Sequence, residues 1–258
     1  MRNTSTCIVA ACLFTGALAP AARAADDNVV NARGQRLAVQ VDWPSGDSKV
    51  PAVVLAPGQG YHMALPAMEA LSRALTQQGV AVFRFNWAYF SAEPKGQPSD
   101  DLSRELQDLQ AVVAAARRHP RVVPENLTVA GKSLGSVVAW QALAADAKLR
   151  GALLLTPICS RVPKGDTVPR DETSENYPQF AQERRPTLWV AGDRDPLCAT
   201  SVLYRFAGAQ AQTARVAVVG GDHSFEQRTG SSAEAALKRN LAAVSAVSAG
   251  FVAELAGP

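Results

Sequence analysis

Histidine is scarce in this chain: three residues among 258, at His62, His119 and His223. Cysteine is scarce too, and two of the four, Cys7 and Cys12, sit close to the start. Nowhere do these residues show metal-ligand spacing, so no metal centre is expected. A surplus of one charge is also missing, with 26 Lys and Arg against 23 Asp and Glu. The one tight basic cluster, Arg117-Arg118 with Arg121, falls at a predicted helix end, where cations complement the dipole. Such balance gives no reason to expect a nucleic-acid partner. No apolar run reaches the roughly 20 residues of a membrane span. No repeat with a period of about 20–50 residues is visible, which excludes a solenoid.

What is present is ordinary globular composition, 47% hydrophobic and 19% charged. The first 24 residues stand apart. Arg2 gives a positive start, Cys7 to Leu18 are mostly apolar, and Ala22-Arg23-Ala24 is an A-x-A cleavage motif. Residues 1–24 are therefore expected to be a signal peptide, which makes the protein periplasmic or secreted, with no membrane anchor after cleavage. Cleavage removes Arg2, Arg23 and no acid, leaving 24 basic and 23 acidic residues, a net of +1. Cys159 and Cys198 remain, and in an exported chain they are either a disulfide or two buried thiols.

From residue 36 onward, short apolar runs alternate with helical patterns. Strands are predicted at Arg36–Asp42, Ala52–Ala56, Val80–Asn86, Leu127–Ala130, Ala152–Leu155, Thr187–Ala191 and Arg215–Val219. Several are too apolar to have a wet face, as in a parallel sheet covered on both sides. Helices are predicted at Pro66–Gln78, Leu102–Arg118, Leu134–Ala145, Thr200–Ala207, and from Ser231, a possible cap, to about Leu255. The order predicts one α/β domain over 25–258, a mostly parallel central sheet with helices on both faces. Only the first strands are placed to pair as a hairpin, through Pro44-Ser45-Gly46-Asp47. One polar insert, 159–185, holds Pro163, Pro169 and Pro178 and is a lid candidate.

The stretch "VAGKSLGSV" carries a G-x-S-x-G match centred on Ser133. A strand before and a helix after are what a nucleophile elbow requires. Gly131 and Gly135 flank the turn, where a Cβ would collide with neighbouring backbone. A serine hydroxyl needs a base to take its proton. In elbow enzymes the acid and then the histidine follow the serine in the chain. His62 and His119 precede Ser133, so His223, in "VVGGDHSF", is the sole candidate. "LWVAGDRDPLC" offers Asp193 and Asp195 as the acid. Asp195 has the favoured G-x-x-D spacing, while Asp222 adjoins the histidine too closely to reach its Nδ1.

An oxyanion would need two donors. The Leu134 N–H follows the nucleophile, and Gln59 N–H lies in "APGQGYHM" after the second strand. His62, in the same loop, is a substrate-binding candidate or a surface residue. In "RFNWAYF", Trp87, Tyr89 and Phe90 either wall an apolar pocket or pack in the core.

The segment "GQGYHMALPAMEALSRALTQQGVAVFRFNW", with "GKSLG" and "GDRDP" after it, resembles the α/β-hydrolase superfamily across essentially the whole mature chain. More narrowly it is similar to the testis-expressed hydrolase-like proteins and a chromatin-complex subunit, a group related to dienelactone-hydrolase-like enzymes. Met63, Pro66, Met68, the Arg84-Phe85-Asn86 run and Lys132 carry that likeness. The chain departs from it in Ser136-Val137 after the elbow, and in its leader, so a chromatin role does not carry over. A serine at the nucleophile position separates it from true dienelactone hydrolases. The resemblance implies an α/β-hydrolase fold with Ser133, Asp195 and His223 as a triad. It also puts Cys159 and Cys198 after neighbouring strands, where a disulfide is geometrically possible. The resulting expectation is an exported serine hydrolase acting on a small-molecule ester or acyl substrate, needing no cofactor. Peptidase, amidase and acyltransferase chemistry use the same parts. The alternative is a non-catalytic binding or scaffold protein on the same fold.

Overall fold

Valine- and leucine-rich runs with no polar face need cover on both sides, and they receive it in the computed structural model. It describes residues 22–25, 29–93, 95–210, 212–227 and 232–257. The chain runs through β1 (Ala22–Ala25), β2 (Val39–Trp43), β3 (Val50–Ala56), α1 (Pro66–Gln77), β4 (Ala81–Phe85) and the short α2 (Ala88–Ala92). It continues through α3 (Ser103–Arg118), β5 (Val122–Lys132), α4 (Leu134–Ala145) and β6 (Ala152–Leu155). A small ribbon follows, β7 (Ser160–Arg161) with β8 (Arg170–Asp171), and then the turn α5 (Thr173–Asn176). The last elements are β9 (Thr187–Gly192), α6 (Thr200–Gly208), β10 (Ala214–Val219) and α7 (Ala233–Ala256).

The sheet order is β1-β2-β4-β3-β5-β6-β9-β10. Strands β4 to β10 along that order are parallel, and β1 and β2 pair antiparallel at one edge. Alternation along each strand sorts side chains into two cores. Ala52, Val54 and Ala56 of β3 join Leu109 of α3, Val138 of α4 and Leu203 of α6 on one face. Val53 and Leu55 join Met68 and Leu71 of α1 and Leu241 and Val244 of α7 on the other. This is the expected sheet with helices on both faces. Helix α4 is apolar nearly all round because nine of its 12 residues are buried.

Two sequence expectations fall largely on residues outside the described ones. The signal peptide 1–24 is described only at residues 22–24, which lie within β1. Ser231 is not described, and α7 starts after Ser232, whose side chain makes no capping bond. A third expectation is corrected: β2 and β3 form no hairpin, because β4 lies between them. The α1 crossover returns β4 parallel to β3 and takes the place beside it, leaving β2 to pair antiparallel with β4.

The polar insert is half surface and half core. The tip of the β7–β8 ribbon is exposed, with Val168 at 73%. Beyond it, Tyr177 and Phe180 are buried. The Tyr177 ring meets Trp189 edge-on at 4.8 Å, and the Phe180 ring stacks on Phe206 at 4.0 Å. Burial of such aromatics anchors the segment despite its polar sequence. At its start, Cys159 and Cys198 form a disulfide, with Cα atoms 4.6 Å apart across 39 residues of sequence. The bond joins the end of β6 to the loop after β9, strands that are neighbours in the sheet. Replacing both cysteines by serine is expected to lower unfolding free energy by about 2–4 kcal/mol. Urea titration checks the loss, and non-reducing peptide mass spectrometry of the purified protein should recover the 159–198 link rather than two thiols.

Candidate active site

Three loops meet at the carboxyl ends of β5, β9 and β10. At the first, Ser133 adopts φ 55° and ψ −122° between the end of β5 and the start of α4. That conformation costs a non-glycine residue about 1–3 kcal/mol, so its surroundings must enforce it. They do so by allowing no alternative volume. A Cβ on Gly131 would overlap the carbonyl of Gly135, and one on Gly135 would lie 2.6 Å from the Ala56 carbonyl oxygen. Helix, strand and the β3–α1 loop thus pack backbone against backbone.

The hydroxyl of Ser133 lies 2.7 Å from His223 Nε2, and His223 Nδ1 lies 2.9 Å from both carboxylate oxygens of Asp195. A carboxylate only accepts, so Nδ1 carries the proton and Nε2 is free to accept from the serine. Asp195 is shielded from solvent, whereas the imidazole keeps 18% exposure. Asp195 Oδ1 also accepts from the Leu197 N–H at 2.9 Å, which orients the carboxylate. The other acids do different work. Asp193 accepts from Gly221 N–H at 2.7 Å and pairs with Arg194, tying the acid loop to the histidine loop. Asp222 accepts from the N–H groups of Ser224 and Glu226 within its own turn.

The β3–α1 loop lies against the serine. A Cβ on Gly58 would stand 3.2 Å from that of Ser133, so the backbone entering Gln59 abuts Ser133. Leu134 is the first residue of α4, where a backbone N–H has no intrahelical acceptor. Among the described residues, neither the Leu134 nor the Gln59 N–H is engaged by an acceptor. The side chain of Gln59 points elsewhere, donating to Gln97 at 2.7 Å.

The three pocket candidates separate. Trp87 is fully buried and is not on a wall. It stands edge-on to Phe85 and donates to the Pro57 carbonyl at 3.0 Å, holding the β3–α1 loop from behind. Its position immediately after the last residues of β4 sends the indole inward. Tyr89 is half-buried, and burial pushes its phenol up to about 12. His62 is half-buried in the same loop, where its Nδ1 accepts from Ala64 N–H at 3.2 Å and its ring sits 6.2 Å from that of Phe90.

A family model described as "Alpha/beta hydrolase domain" matches residues 49–253. The chain belongs to the α/β-hydrolase family. Solved structures share its fold at low identity. An alpha-beta serine hydrolase homologue from Coxiella burnetii is 18% identical, with TM-score 0.65, over 90% of this chain and 99% of that one. Est1E from Butyrivibrio proteoclasticus is 18% identical, with TM-score 0.62, over 92% and 99%. A serine hydrolase without lid from Xanthomonas campestris is 22% identical, with TM-score 0.61, over 93% and 96%. No curated protein matches the chain.

Sequence reading gave no structural role to several side chains that hold this hydrolase's loops in place. Arg84 is buried, paired with Asp42 at 2.7 Å, and donates to the Met63 carbonyl, while Asn86 accepts from the Met63 N–H at 2.9 Å. Tyr177 reaches the elbow from the insert. The single proton of Ser136 goes to the Ser133 carbonyl at 2.6 Å, so the Tyr177 hydroxyl donates to Ser136 at 2.9 Å and accepts from Ile158 N–H. Burial raises the Tyr177 phenol well above its ordinary value, which keeps it a donor. Lys132, singled out in the sequence only for the family likeness, is buried and donates to the His223 carbonyl at 2.9 Å. The histidine loop is therefore pinned rather than free to swing, with Asn240 also donating to the Phe225 carbonyl at 2.9 Å. Position relative to the elbow was the available signal for Lys132, and a lone lysine does not reveal where its amine goes.

The glycines supply a direct test of the elbow. Gly131→Ala is expected to destabilise the hydrolase by about 1–3 kcal/mol or more, since backbone must move. Gly250→Ala, in α7 with nothing within 4 Å of the added carbon, should stabilise it by about 0.5–1 kcal/mol. Urea unfolding of the two variants should move in opposite directions.

Proposed function

We propose that this α/β hydrolase is an exported serine hydrolase that cleaves a carboxylic ester or a related acyl bond. The observation that carries the reading is the continuous chain from Ser133 Oγ through His223 to Asp195, with bonds of 2.7 and 2.9 Å. His223 Nε2 takes the serine proton as Oγ attacks the substrate carbonyl. The imidazolium that forms is stabilised by Asp195, which stays ionised. The tetrahedral oxyanion is held by the Leu134 N–H at the α4 N-terminus, where the helix dipole favours negative charge, and by the Gln59 N–H of the β3–α1 loop. His223 then protonates the leaving alkoxide, and an acyl group remains on Ser133. Water, deprotonated by the same imidazole, attacks the acyl carbonyl and restores the serine. An esterase domain from Rhodothermus marinus and an esterase from Pyrococcus furiosus share this fold, which supports esters as the first substrates to screen.

Within the family, the runs "GQGYHM", "GKSLG" and "GDRDP" support a likeness to the testis-expressed and dienelactone-hydrolase-like group. Export rests on the leader pattern at 1–24, and N-terminal sequencing of the periplasmic or secreted protein should begin at Ala25.

Activity itself is tested with a fluorophosphonate probe on residues 25–258. Wild type should label, while Ser133→Ala and His223→Ala should not. Asp195→Asn is expected to slow ester turnover by about 10⁴-fold, because the imidazole loses its tautomer and orientation. Folded wild type that refuses the probe would favour a binding protein on this fold.

A further inference from the structure

The amine of Lys132 occupies a place where a charge is expensive. The side chain is 2% exposed, on the last residue of β5 and directly before Ser133. An ammonium removed from water needs partners, and the partners here come from three loops. Its Nζ donates to the His223 carbonyl at 2.9 Å. The same atom lies 4.7 Å from the ring centroid of Tyr61, in the β3–α1 loop. Asp195 faces it from the acid loop, and Asp222 and Glu226 face it from the histidine loop. The strand residue paired with it, Leu155, carries no charge. One buried cation therefore touches or faces every loop that contributes to the site.

Resting on the serine-hydrolase reading above, we propose that Lys132 is a positioning residue whose ammonium locks the His223 loop to the serine elbow and the acid loop. It touches no substrate atom and acts through the main chain of His223. A charge-assisted bond to a carbonyl is stronger than a neutral one, and the three carboxylates attract the amine only while it is charged.

The state of this amine changes within an accessible range. Burial pulls Lys132 down from 10.5 to about 8, opposed by Asp195, Asp222 and Glu226. Above about pH 8 the folded protein has released a proton that the unfolded chain keeps until about 10.5. The unfolded state then binds more protons, so stability from this group rises with pH over that interval. The lock, by contrast, loses its charge over the same interval. Activity and stability should therefore move in opposite directions, a signature that simple alkaline unfolding does not give.

The experiment measures probe-labelling rate and thermal midpoint of wild type between pH 6 and 10, beside Lys132→Met and Lys132→Arg. In wild type the labelling rate is expected to fall through about pH 8 while the midpoint contribution rises relative to Lys132→Met. Lys132→Met should label about 10–100-fold more slowly at pH 7, with no alkaline decline. Its ester kinetics should show the loss in kcat, with KM little changed. Lys132→Arg, always charged, should recover part of the rate and also lack the decline. A wild-type rate that stays flat to pH 9.5, or a Lys132→Met variant with wild-type rate and decline, overturns the proposal. If Lys132→Met does not fold, the wild-type profile alone decides. Folded wild type that never labels overturns the serine-hydrolase reading and, with it, the positioning role.

Discussion

Everything at the carboxyl edge of the sheet depends on the backbone of one residue, Ser133, held at a φ of 55°. A side chain there is unfavourable by itself, and it persists because Gly131, Gly135 and Gly58 let three stretches of backbone close around it. With the turn forced, the hydroxyl stands above the strand ends and the first N–H groups of α4 point to the same side. The remaining loops are fitted to that fixed point. Each is restrained by side chains donating to or accepting from its main chain, which holds Ser133, His223 and Asp195 on a preorganised surface.

These restraints come from several layers. Trp87, Arg84 and Asn86 grip the β3–α1 loop from the end of β4. Asp193 reaches from the acid loop to Gly221, and Lys132 reaches from the elbow to His223. The disulfide at Cys198 stands three residues beyond Asp195 and ties that loop to the end of β6. Polar side chains that look dispensable in the sequence thus work as struts between loops that share no secondary structure. For the buried ones, Trp87, Arg84 and Lys132, the cost of burial is offset because each meets a partner.

Much of the fold could be read from the sequence because parallel strands buried on both faces must be apolar without alternation, and helices between them carry a regular stripe. Strand and helix bounds such as Ala152–Leu155 and Leu134–Ala145 come out unchanged. The elbow was legible for the same local reason: its glycines and serine are neighbours in the chain. What escaped was non-local. The order β2-β4-β3 depends on which strand arrives beside β3, not on the turn at Pro44–Asp47. Trp87 was open to a pocket or a core reading because aromatics at a strand end suit either side, and its burial and its bond to Pro57 show that it faces inward. The second half of the insert looked polar, since Tyr177 and Phe180 are separated by ordinary surface residues and lack a period.

The strands that carry the site also have a temporal order. From β5 the sheet grows outward as β6, β9 and β10, so its space order here is its chain order. Ser133 and its glycines are complete once α4 has formed, but Asp195 and His223 reach it only after β9 and β10 have docked in turn. Such pairings between distant parts of the chain are slow steps in folding. A chain emerging amino-terminus first therefore carries Ser133 long before it carries His223, and the hydroxyl meets the imidazole only when the last strand closes.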